Sequence, residues 1–238
     1  MTHLGTGFYT NTDAARILQV RPRDVSRWMF GYDFTSKRAD GQRVKHHSDP
    51  LWKTQYADDP DLNHSAIGFL DLLELRIVRE FVNVGVPLSI VRRCLEAAKT
   101  LFDAAYPLTT QRFLTDGRTV FAEAMKDDAD AALLDLRTRQ YAFKSIIKPS
   151  LYAGIEYDGE QAARWYPDAR SKTIVLDPDI QFGKPVLALS AIPTAALYLA
   201  YVAEGNDDSA ASAVARIYEV PRKEVVAAVR FETELKAA

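Results

Sequence analysis

The stretch TNTDAARILQVRPRDVSRWMFG, Thr10 to Gly31, decides how the rest of the chain is read. Thr10 is a good N-cap residue and Asp13 stands three positions on, a short-armed capping box that starts a helix. Ala14, Ala15, Ile17 and Leu18 supply its apolar face. Gln19, Val20 and Arg21 make a turn. Pro22 suits the first position of a second helix, where its missing N–H costs nothing. Val25, Trp28 and Met29 recur at i, i+3 and i+4 and so point inward together. Arg23 and Arg27 are four apart and share the opposite face. A helix-turn-helix uses its second helix in this way, one face buried and the other laid in a DNA major groove. An ordinary αα-hairpin with a solvated basic face fits the same residues.

The next segment, Tyr32 to Asn63, is polar and has Gly41 near its centre. Tyr32 and Phe34 precede the glycine, and Val44 and the Leu51-Trp52 pair follow it, which predicts a β-hairpin with a basic tip. Placed after a helix-turn-helix, this hairpin is a wing whose Lys37, Arg38, Arg43 and Lys45 reach phosphate. Such contacts give affinity and salt dependence rather than sequence choice. Eight basic residues and four acidic ones lie between Arg21 and Gln55, although the whole chain of 238 residues carries a formal charge of −2. The acid sits elsewhere, at Asp58, Asp59 and Asp61, at Asp127, Asp128 and Asp130, and at Glu204, Asp207 and Asp208. A locally basic end on a weakly acidic chain can hold phosphates.

Ile67 to Asn83 is a strongly apolar helix that needs partners on more than one side. Gly85 is its C-terminal cap signal and Pro87 starts the next helix, Leu88 to about Ala105. The order helix, turn, basic helix, wing, then FLDLLELRIVREFVNVGVPLSIVRRCLEAA resembles the DNA-binding domain of MerR-type regulators over about residues 8 to 105. The resemblance implies a winged helix. The expected DNA-binding residues are Arg21, Arg23, Ser26 and Arg27 on the helix pair, and Lys37, Arg38, Arg43 and Lys45 on the wing. MerR regulators usually continue into a long dimerising coiled coil and an effector-sensing tail, a pattern this chain lacks.

Pro107 to Lys172 is mixed. In RFLTDGRTVFAEA, Asp116-Gly117 predicts a two-residue hairpin turn. Asp127 to Asp135 reads as helix or loop, Ala142 to Ile155 alternates loosely, and Glu160 to Tyr166 reads as a strand, so a small linking sheet is expected. From Thr173 onward come a short strand, a turn at Pro178 and an FGKP loop, then helices over Ile192 to Glu204, Ser209 to Tyr218 and Pro221 to about Leu235. Ala215 to Val220, followed by Pro221 and a basic residue, partly repeats the Ala15 to Val20 turn. The segment D-P-D-I-Q-F-G-K-P-V, then I-P, then A-R-I-Y-E-V-P-R-K-E-V-V-A-A-V-R-F, resembles the domain-of-unknown-function 433 family over roughly residues 173 to 233. Leu189-Ser190-Ala191 stands where that family usually has Gly-Thr-Arg. Its members commonly accompany small PIN-like nucleases as antitoxins. A MerR-like front joined to this end resembles the larger VapB-type antitoxins.

Catalytic patterns are lacking. His46 and His47 are adjacent and diverge on a strand, which suits phosphate better than joint metal ligation. The single cysteine, Cys94, lies in a helical pattern and reads as a buried thiol. FGKP lacks the glycines and the following Ser or Thr of a phosphate loop. No apolar run reaches membrane-span length and the N-terminus lacks signal-peptide regions, so a cytoplasmic location is expected. The expected fold is mainly α with small β elements. It comprises a winged helix-turn-helix over 1–106, a mixed connector over 107–172 and a helical, helix-turn-helix-like unit over 173–238. The expected function is an antitoxin that is not an enzyme and needs no cofactor or metal. It binds operator DNA as a homodimer, represses its own operon and neutralises a PIN-like ribonuclease toxin. The alternative is a MerR-like ligand-sensing regulator without a toxin.

Overall fold

The computed structural model describes residues 5–38, 41–124 and 152–236. It is mainly helical with small antiparallel sheets. Helix α1 (Asn11–Leu18) begins at Thr10, whose hydroxyl accepts from the Asp13 N–H at 3.1 Å while Asp13 Oδ2 accepts from the Thr10 N–H. Gln19 takes the left-handed conformation (φ 54°) and reverses the chain into α2 (Pro22–Phe30). Val25, Trp28 and Met29 are buried. Gly31 then turns the chain at φ 73°. A Cβ there would lie 2.5 Å from the Ser48 carbonyl oxygen, so only glycine lets α2 join the following hairpin so closely.

Strands β1 (Tyr32–Lys37) and β2 (Arg43–Ser48) pair antiparallel, Tyr32 with Ser48 through Lys37 with Arg43. The predicted hairpin is thus present. Leu51 and Trp52 are not part of it; they turn inward and are buried. The Leu51 N–H donates to the Trp28 carbonyl at 2.8 Å, and the Trp52 indole N–H donates to Asp71 Oδ1 at 2.8 Å.

Helix α3 (Phe69–Asn83) is the centre of the larger core. Every residue from Phe69 to Leu75 is buried, Asp71 and Glu74 included. Asp71 is tolerated because it accepts from Trp52, from the Gln55 N–H at 3.0 Å and from the Gly68 N–H at 2.9 Å. Glu74 accepts from the Leu108 N–H at 2.9 Å, and burial pushes its carboxyl up to about 8. Helix α4 (Leu88–Phe102) follows the Gly85–Pro87 turn and buries Ile90, Val91, Cys94, Leu95, Ala98 and Phe102.

The Asp116–Gly117 hairpin expected from the sequence is corrected by the structure: residues 111–124 form one helix, α5 (Gln111–Ala124). Phe113, Gly117, Val120 and Phe121 are buried at i, i+4, i+7 and i+8. Their helical spacing, together with the Phe81–Phe121 and Phe102–Phe113 ring contacts, overrides the local turn preference of Asp-Gly. The expectations for Asp127 to Asp135, and most of Ala142 to Ile155, lie outside the described residues. Strands β3 (Ile155–Asp158) and β4 (Gln161–Trp165) form the next hairpin, and Trp165 also bridges to Leu176. The Arg76 guanidinium sits 4.7 Å over the Trp165 ring, joining α3 to β4.

Strands β5 (Ile174–Val175) and β6 (Val186–Leu187) flank a single turn of 3-10 helix at Gln181–Gly183. Three helices complete the chain: α6 (Thr194–Ala203), α7 (Asp208–Ile217), capped by Asp207, and α8 (Arg222–Lys236). They enclose a second buried cluster that includes Ile174, Leu187, Leu197, Val214 and Val225. The α7–α8 turn repeats the α1–α2 turn in geometry as well as in sequence. Glu219 has φ 54° like Gln19, and the Val220 and Val20 N–H groups donate to the Ala215 and Ala15 carbonyls, each at 3.0 Å. Among the described residues no helix is long and apolar enough to cross a membrane.

Candidate nucleic-acid interface

The helix pair and its hairpin are braced from behind. Arg79 on α3 donates to the Leu18 carbonyl at 2.7 Å, which holds the end of α1. Arg92 on α4 donates to the Pro50 and Asp49 carbonyls at 2.6 and 2.8 Å, which holds the exit of the wing. Helix α2 and the wing are therefore displayed on a rigid base, which a groove-reading element would require.

On α2 the expected residues are not equivalent. Arg21 is already engaged: its guanidinium donates to both oxygens of Asp24, at 2.7 and 3.2 Å, and that carboxylate raises its pKa further. Arg23 is exposed and has no ion pair among the described residues. Ser26 is half-buried beside it on the helix. Arg27 is half-buried, with its guanidinium 4.6 Å over the Tyr32 ring. That stacking points Arg27 along the wing rather than into bulk water.

The pleat of the wing sorts its side chains onto two faces. Tyr32, Phe34 and Ser36 share one face with Val44, His46 and Ser48. Along it runs a ladder of rings: Tyr32 to Phe34 at 5.7 Å, then Phe34 stacked on His46 at 5.0 Å and 20°. Phe34 is 44% exposed. The other face carries Asp33, Thr35 and Lys37 opposite His47, Lys45 and Arg43. His47 Nδ1 meets Asp33 Oδ1 at 2.6 Å near the base, so acid and histidine satisfy each other there. Towards the tip, among the described residues, nothing does. Lys37, Arg38, Arg43 and Lys45 are all exposed and none pairs with an acid among the described residues. Lys37 lies directly opposite Arg43, a like-charge pair that destabilises a hairpin.

The structure thus brings Arg27 together with the aromatic face and sets Lys37, Arg43 and Lys45 on the reverse face. In the sequence the basic residues form one group, and Tyr32 and Phe34 stand only as strand signals. The period-two spacing of Tyr32, Phe34 and Ser36 carries the division of faces, and the i, i+3 spacing of Arg21 and Asp24 carries their pairing. His46 and His47 diverge to opposite faces, as adjacent strand residues do. Among the described residues no three His, Cys, Asp or Glu side chains are grouped to hold a metal. Cys94 is buried and its thiol is pushed up to about 12.

No protein-family model matches the chain, and no curated protein matches it. A solved structure does: the X-ray crystal structure of Rv2018 from Mycobacterium tuberculosis. It is 22% identical, with a TM-score of 0.61, over 93% of this chain and 96% of that one. The two share an overall fold along nearly their whole lengths.

Proposed function

We propose that the chain is a DNA-binding antitoxin of a type II toxin–antitoxin pair. It binds its own operator through α2 and the β1–β2 wing, represses its operon, and blocks a PIN-like ribonuclease. It acts by binding rather than by catalysis, in the cytoplasm and as a homodimer that matches a two-fold operator. The observation that carries the DNA half is the wing tip. Lys37 faces Arg43 with no acidic partner for either among the described residues, so the hairpin bears a cost that a line of phosphates removes. On α2 the exposed Arg23 and the ring-guided Arg27 add further cations, Arg27 on the aromatic side of the wing. The nuclease half rests on the resemblance of residues 173 to 233. It is supported by a C-terminal bundle that leaves Leu199, Val202, Ile217 and Val226 exposed.

Two measurements test this reading. The full chain is titrated against DNA from upstream of its own gene between 50 and 200 mM salt. The expected affinity falls by orders of magnitude across that range, because each neutralised phosphate releases counterions. A flat salt response contradicts the wing contacts. The product of the adjacent reading frame is then assayed for ribonuclease activity with and without the chain. Inhibition at stoichiometric ratio is expected, and full activity beside excess chain contradicts the antitoxin role.

A further inference from the structure

A cleft lies between α1 and the C-terminal unit. Its volume is about 220 Å³, and Phe8, Ile17, Pro193 and Leu235 contribute apolar wall, with Ala195 on α6. The cleft is built by the fold. The Phe8 N–H donates to the Phe182 carbonyl at 2.8 Å, and the Tyr9 hydroxyl donates to the Gly183 carbonyl at 2.6 Å, so the FGKP loop is pinned against the segment that leads into α1. This loop places Lys184 in the lining.

The polar groups of the cleft are unevenly satisfied. Glu232 is 4% exposed; one oxygen accepts from the Thr194 hydroxyl at 2.5 Å and the other from Arg16 at 3.4 Å. Asp13 accepts from Thr10 in the capping box. Glu232 therefore uses both oxygens, whereas Asp13 uses only Oδ2 among the described residues. Arg16 has only the one long contact, and Lys184 has no ion pair or side-chain hydrogen bond among the described residues. Most of the spare capacity of the cleft is on the donors Arg16 and Lys184, beside an apolar wall. Its complement is an anionic acceptor head on an apolar body. Size narrows the choice. A cavity of about 150 Å³ accepts benzene, whereas drug-sized ligands fill roughly 300–1,000 Å³.

We propose that this cleft binds a small organic acid, with its carboxylate on Lys184 and Arg16 and its ring or branched alkyl group against Phe8, Ile17 and Leu235. The site is distinct from the DNA-reading surface and does not depend on the antitoxin reading. The test contains no DNA and no nuclease. Calorimetric titration of the full chain with benzoate, 3-phenylpropionate and hexanoate is expected to give saturable binding for at least one acid. Its uncharged amide should bind about tenfold more weakly, since a charge-assisted hydrogen bond is lost. Lys184→Met should weaken the acid by a similar factor, and Ala195→Phe should abolish binding by filling the cleft. Both positions are exposed, so both variants should melt with the wild type. Absence of saturable binding for all three acids overturns the site. Equal binding of acid and amide, or wild-type affinity in both variants, overturns the assigned geometry.

Discussion

Arg21 and Arg23 stand two positions apart, yet only one keeps its cation for a ligand. Arg21 gives both arms of its fork to Asp24, whereas Arg23 has no acidic partner among the described residues. Arg23→Ala should therefore weaken DNA binding more than Arg21→Ala, by roughly 1 kcal/mol or more if Arg23 meets a base. Equilibrium binding of the two single variants, measured by fluorescence anisotropy, decides it, and equal losses contradict the pairing argument. Glu74 gives a test of the core instead. Burial raises its carboxyl to about 8 from an ordinary value of 4.5. Between those values the folded chain holds a proton that the unfolded chain has released. Stability from this group is fully present below about pH 4.5 and is lost as pH rises towards 8. Glu74→Gln keeps an acceptor for the Leu108 N–H and removes the titration. Denaturant unfolding at pH 5 and pH 8 should show a smaller loss of stability in the variant than in the wild type.

Elements set by local chemistry were legible in the sequence. The Thr10–Asp13 cap, the Gln19 turn and Pro22 define α1 and α2 within a residue of their observed ends. The same holds for α7, where Asp207 accepts from the Ala210 N–H at 2.9 Å. Helix α5 was not legible, because Asp-Gly is a strong local turn signal and the competing information is tertiary: Phe113, Val120 and Phe121 pack on α3 and α4. In the wing, the basic tip was legible as a charge excess. Its sorting onto one face needed the register, because a shift of one residue moves every side chain to the other side. That register yields a prediction of two opposite signs. Lys37→Glu places an acid opposite Arg43, so it should stabilise the hairpin while weakening DNA binding. Slower amide exchange at the wing tip with a lower DNA affinity is the expected pair of results. A variant that loses both, or gains both, contradicts the assigned face.

At the scale of the whole molecule, the chain closes its N-terminal segment onto its C-terminal unit. Tyr9 belongs to the larger core and donates its hydroxyl to the Gly183 carbonyl, 174 residues away. Tyr9→Phe removes the donor and leaves that carbonyl unsatisfied, at a cost of about 1–3 kcal/mol. A lowered thermal midpoint is expected, and an unchanged one contradicts the coupling. Such closure was invisible in the sequence, where FGKP read only as a loop. The near-repeat of the α1–α2 turn at α7–α8 was visible, and the structure shows equal geometry with unequal surroundings. The basic wing follows the first pair, while the second pair carries Arg222 beside Asp208 and Arg230 beside Glu234. The proposed DNA-reading role therefore falls to the first pair. The most direct test is a gel retardation of DNA from upstream of the gene by the full chain carrying Arg23→Ala and Arg27→Ala together. Affinity should fall at least about tenfold relative to wild type with thermal stability retained, since groove contacts contribute roughly 1–3 kcal/mol each. An unchanged affinity would contradict the claim that α2 reads the DNA.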